Sequence, residues 1–353
     1  SLSALLCDNA IGHSHNGQLI SQSPMRDNIA ASEILSEPQL RAVRARSDFI
    51  GCWLVLHAWG VIAVASALVV ALPNPATILL AAMVIGSRQL GLVILMHDAA
   101  HGALCRSPHL NRFLARWFCG WPMIADLDVY RRYHLIHHTR TLRDGDPDAV
   151  LTGHYPISRA SLHRKLIRDM TGQSGFSQRK FQISNAFKIA DDSPGNRFKR
   201  FWDEIGPATV ANLVIAAVCY LCGYWWLFLV CWLFPMLTWY QVVLRLRNIA
   251  EHALVKGPDD PFGVARTTYT NFLERVLIAP YWVNYHLEHH LIMWVPCYRL
   301  PLLNQHLIAN GYADELQTTR GYLNVLREVT SQDIDASIPG GQGASGSFGQ
   351  GYN

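Results

Sequence analysis

Histidine is the side chain most able to do chemistry in this sequence, and its spacing is not random. It occurs 16 times in 353 residues, and nine copies stand in four tight groups. His97 and His101 form "HDAAH", and His134, His137 and His138 form "HLIHH". His252 ends "RNIAEH", while His286, His289 and His290 form "HLEHH". Offsets of three and four bring rings to one face of a helix, a turn apart. Imidazoles crowded in this way repel when protonated and lack donors when neutral, so packing alone does not account for them. They read as metal ligands. Imidazole suits zinc, copper, iron and nickel, whereas magnesium and calcium favour oxygen. A catalytic zinc takes three protein ligands and a water, so nine histidines are too many for one such ion. Divided between two ions, they leave four or five for each. A pair of irons suits redox chemistry in a membrane, and zinc-filled preparations would follow from the Irving–Williams order.

Acids stand beside these rings. Asp98, Glu251 and Glu288 each adjoin a histidine, and Asp144, Asp146 and Asp148 follow the second group in "RDGDPDA". Carboxylates so placed can accept the free ring N–H of a liganding histidine and fix its tautomer. For the three aspartates, turn formation and helix capping is an equal alternative. Isolated histidines (His57, His109, His154, His163 and His306) read as packed or solvated, and His13 and His15 as part of a solvated tail.

The elements that position the groups follow from hydropathy. Half of the chain is apolar and only 16% is charged, and the apolar residues come in blocks. Four blocks, at about residues 52–72, 76–96, 208–222 and 225–244, approach the roughly 20 residues that cross a bilayer. The turn signals "PNP" (73–75) and "CGY" (222–224) pair them into two hairpins. Neither turn holds Lys or Arg, whereas the 131–207 segment is rich in both. By the positive-inside rule that segment and both termini are cytoplasmic, and every histidine group falls on the same side. The expected fold is an all-α integral membrane protein with four transmembrane helices in two hairpins and a cytoplasmic histidine-rich cap. Residues 1–45 read as a cytoplasmic N-terminal segment and 46–335 as the membrane domain. The Gly/Ser/Gln-rich 336–353 stretch reads as a disordered tail. A bacterial inner membrane is the expected location, with the first span able to direct insertion and no cleavable leader expected.

Smaller features complete the organisation. "NRFLARWFCGWPMIA" (111–125) is too short to span and reads as interfacial or re-entrant. Cys219 and Cys222 form C-x-x-C inside an apolar run and read as buried thiols. Arg88 lies nine residues before His97, roughly 13 Å deeper along a helix. It either anchors a polar substrate end or pairs within the bundle. The net charge of +4 suits anionic headgroups or an acidic partner, and no nucleic-acid motif is present.

From about residue 90 to 303, the sequence resembles the membrane fatty acid desaturases, whose three histidine boxes match "HDAAH", "HLIHH" and "HLEHH" in order. The tail "HHLIMWVPCYRLP" and the three-residue gap in the first box resemble the bacterial acyl-lipid-type branch. The resemblance implies that all nine histidines bind a di-iron centre. It implies that Asn248, four residues before His252, holds a water there. It also implies O2 as co-substrate, and removal of two hydrogens from an acyl chain of a lipid. Electrons would come from a separate ferredoxin-like donor docking on the basic loop, because "IPGG" (338–341) lacks the His of a fused haem donor. Alternatives at the same site are a hydroxylase or ketolase of lipids or carotenoids, and a desaturase of a small specialised metabolite. A membrane zinc hydrolase, needing neither O2 nor reductant, and a catalytically idle scaffold are the readings from other classes.

Overall fold

The structure is a computed structural model and describes residues 29–187 and 194–330. The His13 and His15 pair and the 336–353 tail lie outside the described residues. The described chain is mostly helical. Among the described residues four helices are long and apolar enough to cross a membrane: Asp48–Ala71, Pro75–Ala100, Phe201–Leu221 and Phe228–His252.

A short amphipathic helix, α1 (Glu37–Arg44), opens on a capping box between Ser36 and Gln39 and buries Leu40 and Val43. The first spanning helix, α2 (Asp48–Ala71), starts where the Ser47 side chain accepts the Ile50 N–H. The next, α3 (Pro75–Ala100), places Pro75 in its first turn, where a missing N–H costs nothing, and Asn74 caps Thr77. It ends at His101, and Gly102 with φ +67° turns the chain away. Helix α4 (Leu127–Arg140) carries the second histidine group and is capped by Asp126, which accepts from Asp128 and Val129 N–H. The third spanning stretch is part of α5 (Pro194–Leu221), ended by Gly223 at φ +82°. The fourth is not one regular helix. It passes through a π turn (Phe228–Leu233) and breaks at Thr238 before α6 (Trp239–His252). Pro235 has no N–H to donate, and the Phe234 carbonyl accepts both the Thr238 N–H at 3.1 Å and the Thr238 hydroxyl at 2.7 Å. The third histidine group lies on a short helix, α7 (His286–Leu291).

The four spans differ in burial. The second and fourth are buried over 67% and 56% of their apolar windows, the first and third over 33% and 17%. Thus α3 and α6 form the inner pair, while α2 and α5 lie outside them. Gly86 lets the inner pair approach: a Cβ there would stand 2.9 Å from the Tyr240 nitrogen and 3.0 Å from the Trp239 Cβ. Gly86→Leu is therefore expected to destabilise the fold by about 1–3 kcal/mol. The check is thermal unfolding in detergent, and an unchanged midpoint would contradict so close an approach.

Arg88 pairs within the bundle. Its Nη2 donates to the Val276 carbonyl at 2.7 Å, and the guanidinium lies 5.5 Å from the Tyr281 ring centre. Ser87 donates to the Leu277 carbonyl beside it. These bonds tie α3 to the segment that enters α7, where Tyr281 and Trp282 take left-handed backbone angles (φ 52° and 57°). The all-α expectation needs one amendment. A parallel two-stranded sheet joins β1 (Thr267–Tyr269) to β2 (Thr318–Arg320), in register Thr267 to Thr318. Cys219 and Cys222 are free thiols, half-buried and exposed respectively.

Candidate metal centre

Each histidine group enters the site from a different element. His97 and His101 come from the end of α3, His134, His137 and His138 from α4, His252 from the end of α6, and the last three from α7. Eight of the nine are buried, and His101 is half-buried. Their nitrogens fall into two sets. His97, His101, His134, His138 and His289 form one set, and His137, His252, His286 and His290 the other, each set lying within 4.8 Å.

Helical geometry explains the division. Successive residues turn by about 100°, so i and i+4 point the same way and i+3 diverges to the other side. Accordingly 97 goes with 101, 134 with 138, and 286 with 290. The i+3 members, His137 and His289, cross to the opposite set. Two helices thereby each contribute to both sets.

Nitrogens within a set face one another closely. His138 Nε2 is 2.9 Å from His134 Nε2 and 3.0 Å from His289 Nε2. His286 Nε2 is 3.0 Å from His252 Nε2 and 3.1 Å from His290 Nε2. Both nitrogens of His97, Nε2 of His101 and Nδ1 of His290 are buried with no hydrogen-bond partner. Orphaned buried polar atoms of this kind call for an ion or water. The donor set therefore fits a metal at each position.

Outer contacts fix which nitrogen faces inward. The Nδ1–H of His137 donates to Asp146 Oδ1 at 2.8 Å, and that of His252 donates to the Val264 carbonyl at 3.0 Å. In both rings Nε2 is left with its lone pair toward the cluster. His286 Nδ1 lies 3.4 Å from Glu251 Oε1, a carboxylate also held by Arg247. Burial, reinforced by the neighbouring imidazoles, pushes His134, His138, His286, His289 and His290 well below the usual histidine range. Burial and Arg131 bring His101 down to about 3. These rings are thus neutral at physiological pH, the form a metal needs.

The acids divide by role. Glu251 touches a histidine ring. Asp98 is 3.7 Å from His97 Nδ1, too far for a hydrogen bond, and its Oδ2 accepts the Cys297 N–H at 2.7 Å. It pins the first group to the chain beyond the third. Glu288 faces away from the histidines, accepting from the Thr267 hydroxyl and from Asn304 Nδ2. It anchors α7 to β1, and burial pushes its carboxyl up. Asn248 is half-buried on α6, one turn before His252. Asp148 accepts from the Tyr133 hydroxyl and is pushed up to about 6 by burial. The Val264 carbonyl escapes sequence reading because a backbone acceptor leaves no residue-type signal. Arg247 was within reach: a charge on the apolar face of a helix, four residues before Glu251, marks a buried pair.

Comparison with known proteins places this geometry in a class. The profile of the family described as fatty acid desaturase matches residues 72–320, a stretch that holds all nine histidines. The chain belongs to the fatty acid desaturase family. Among individual proteins it is similar to the dihydrorhizobitoxine desaturase of Bradyrhizobium elkanii, at 28% identity over 229 residues. The match covers 63% of this chain and 65% of the relative, just under two thirds of the relative's length.

Proposed function

We propose that this protein is a membrane oxidoreductase that desaturates an acyl chain of a lipid at a di-iron centre, with O2 as co-substrate. The observation that carries the reading is the division of nine imidazoles, eight of them buried, into a set of five and a set of four. Four or five imidazoles in each set exceed the three protein ligands of a catalytic zinc and suit an iron that keeps room for O2. Family membership supplies the reaction class.

Bound iron would supply O2 activation. The chain's own part is to hold geometry, dryness and a fixed protonation state. Asp146 and the Val264 carbonyl keep His137 and His252 in one tautomer, and burial keeps water and protons away from the rings. In balance, a –CH2–CH2– unit, O2, two electrons and two protons give –CH=CH– and two waters. The electrons need a donor, and a separate ferredoxin-like protein is the proposed source. The basic 131–207 segment supports a cytoplasmic site with cytoplasmic termini in a bacterial inner membrane.

A lipid substrate is supported by an apolar cavity of about 890 Å3 between α2, the 113–122 segment and α5. Its lining includes Leu56, Trp59, Phe118, Val214, Leu227 and Trp232 and holds no charged side chain. Trp59 and Trp232 stack across it at 5.3 Å. The second reading, a desaturase of a small specialised metabolite, draws on the relative named for dihydrorhizobitoxine.

Mass spectrometry of lipids and metabolites tests the proposal, on aerobic cells expressing the chain or its His289→Ala variant. The expected product is two mass units lighter than its precursor and absent from the variant. A product sixteen units heavier would move the assignment to hydroxylation. A product formed without oxygen would sink the oxidative reading.

A further inference from the structure

Beyond the metal centre, three arginines gather where no carboxylate answers them. Arg44 ends α1, Arg46 precedes α2, and Arg106 lies five residues after His101. Together with Ala45 they line a pocket of about 400 Å3 at the membrane end that carries the histidines. Among the described residues no acid forms an ion pair with any of the three. Asp48, the acid adjacent in sequence, has its Oδ1 occupied by the Ser107 N–H at 2.8 Å.

The pocket is built rather than incidental. Arg44 stacks over the Trp294 ring at 4.5 Å, which holds its planar fork in place. The Ser47 N–H donates to the Tyr298 hydroxyl at 2.9 Å. With the Asp48 bond to Ser107, these contacts pin three segments together: the α1–α2 junction, the chain after the first histidine group and the chain after the third. Arg46 Nε is buried with no partner. Like charges so gathered repel unless an anion sits between them, and guanidinium forks match the oxygens of a phosphate.

We propose that Arg44, Arg46 and Arg106 form a binding site for one phosphate group, presented by an anionic lipid headgroup at the membrane face. Free inorganic phosphate offers the same oxygens and is the other possible source. The site does not depend on the reaction catalysed at the histidines.

Native mass spectrometry of the full chain in detergent tests this, with phosphatidylglycerol and a neutral, phosphate-free glycolipid offered at equal concentration. The expected result is preferential retention of phosphatidylglycerol, weakened about fivefold for each arginine removed in R46Q/R106Q. The charge-keeping R46K/R106K variant should retain most of it. Should R46Q/R106Q fail to fold, R106Q alone carries the readout, because Arg106 is solvent-exposed. If millimolar inorganic phosphate displaces the lipid and raises the unfolding midpoint of wild type but not of R106Q, free phosphate suffices. If phosphate has no effect while the lipid preference stands, the headgroup is the ligand. Equal retention of both lipids by wild type, or undiminished phosphatidylglycerol on the glutamine variants, together with no phosphate effect, overturns the site.

Discussion

Alanine at His286 is expected to lower bound metal from about two ions per chain to about one, and to cut turnover by at least about 100-fold. The reason is arithmetic within the smaller set. His286 Nε2 sits between His252 Nε2 at 3.0 Å and His290 Nε2 at 3.1 Å, and its loss leaves three nitrogens for that position. The same change at His101 should be milder for metal retention. It belongs to the five-membered set, is half-buried, and leaves four nitrogens behind. Metal content by plasma emission, measured beside turnover for both variants, separates the cases. Full metal in His286→Ala would refute the two-set reading of the site.

Asp146→Asn is expected to cost about 10–100-fold in metal affinity or turnover, although it alters no ligand. Both oxygens of Asp146 accept hydrogen bonds. Oδ1 takes the His137 Nδ1–H at 2.8 Å and the Asp148 N–H at 2.9 Å, and Oδ2 takes the Leu142 N–H at 2.8 Å. An amide offers one acceptor only, so its NH2 must face a donor whichever way it is turned. If it faces Leu142, a loop residue at φ 61° loses its tether. If it faces His137, the ring loses its tautomer lock. Burial alone would raise the Asp146 carboxyl, but the His137 ring and the two backbone N–H groups hold it below its ordinary value. The aspartate is thus the charged, acceptor-only form the site needs. Metal titration of the folded variant is the measurement, and wild-type affinity would show that His137 is oriented by something else.

These two residues also show what the sequence could and could not reveal. His286 was visible because ligand spacing on a helix is a local property, legible in any window of five residues. The same holds for the apolar blocks, whose length is set by the bilayer rather than by the rest of the fold. Asp146 was only half visible: "DGDPD" supports a turn and an orienting carboxylate equally, and in the structure one side chain does both. The 100° step separates i+3 from i and i+4 within one helix, but which rings of different helices share a set is a tertiary property that no local window shows. Other features had no local signal. The break at Thr238 and the left-handed turn at Tyr281 arise where spans are packed against one another, and Val264 acts through its backbone. The second and fourth spanning helices continue to Ala100 and His252, which brings the His97 and His101 pair and His252 to their ends.

The unequal burial of the four spans has a consequence for how such a chain can change over generations. The inner helices α3 and α6 carry His97, His101 and His252 at or just past their ends, whereas α2 and α5 carry none of the nine histidines and form much of the wall of the apolar cavity. If that cavity takes the acyl chain, as proposed, substitutions in the outer pair would reshape what the protein accepts while leaving every one of the nine histidines in place. A new substrate would then be reached through α2 and α5 with the histidine cluster kept whole.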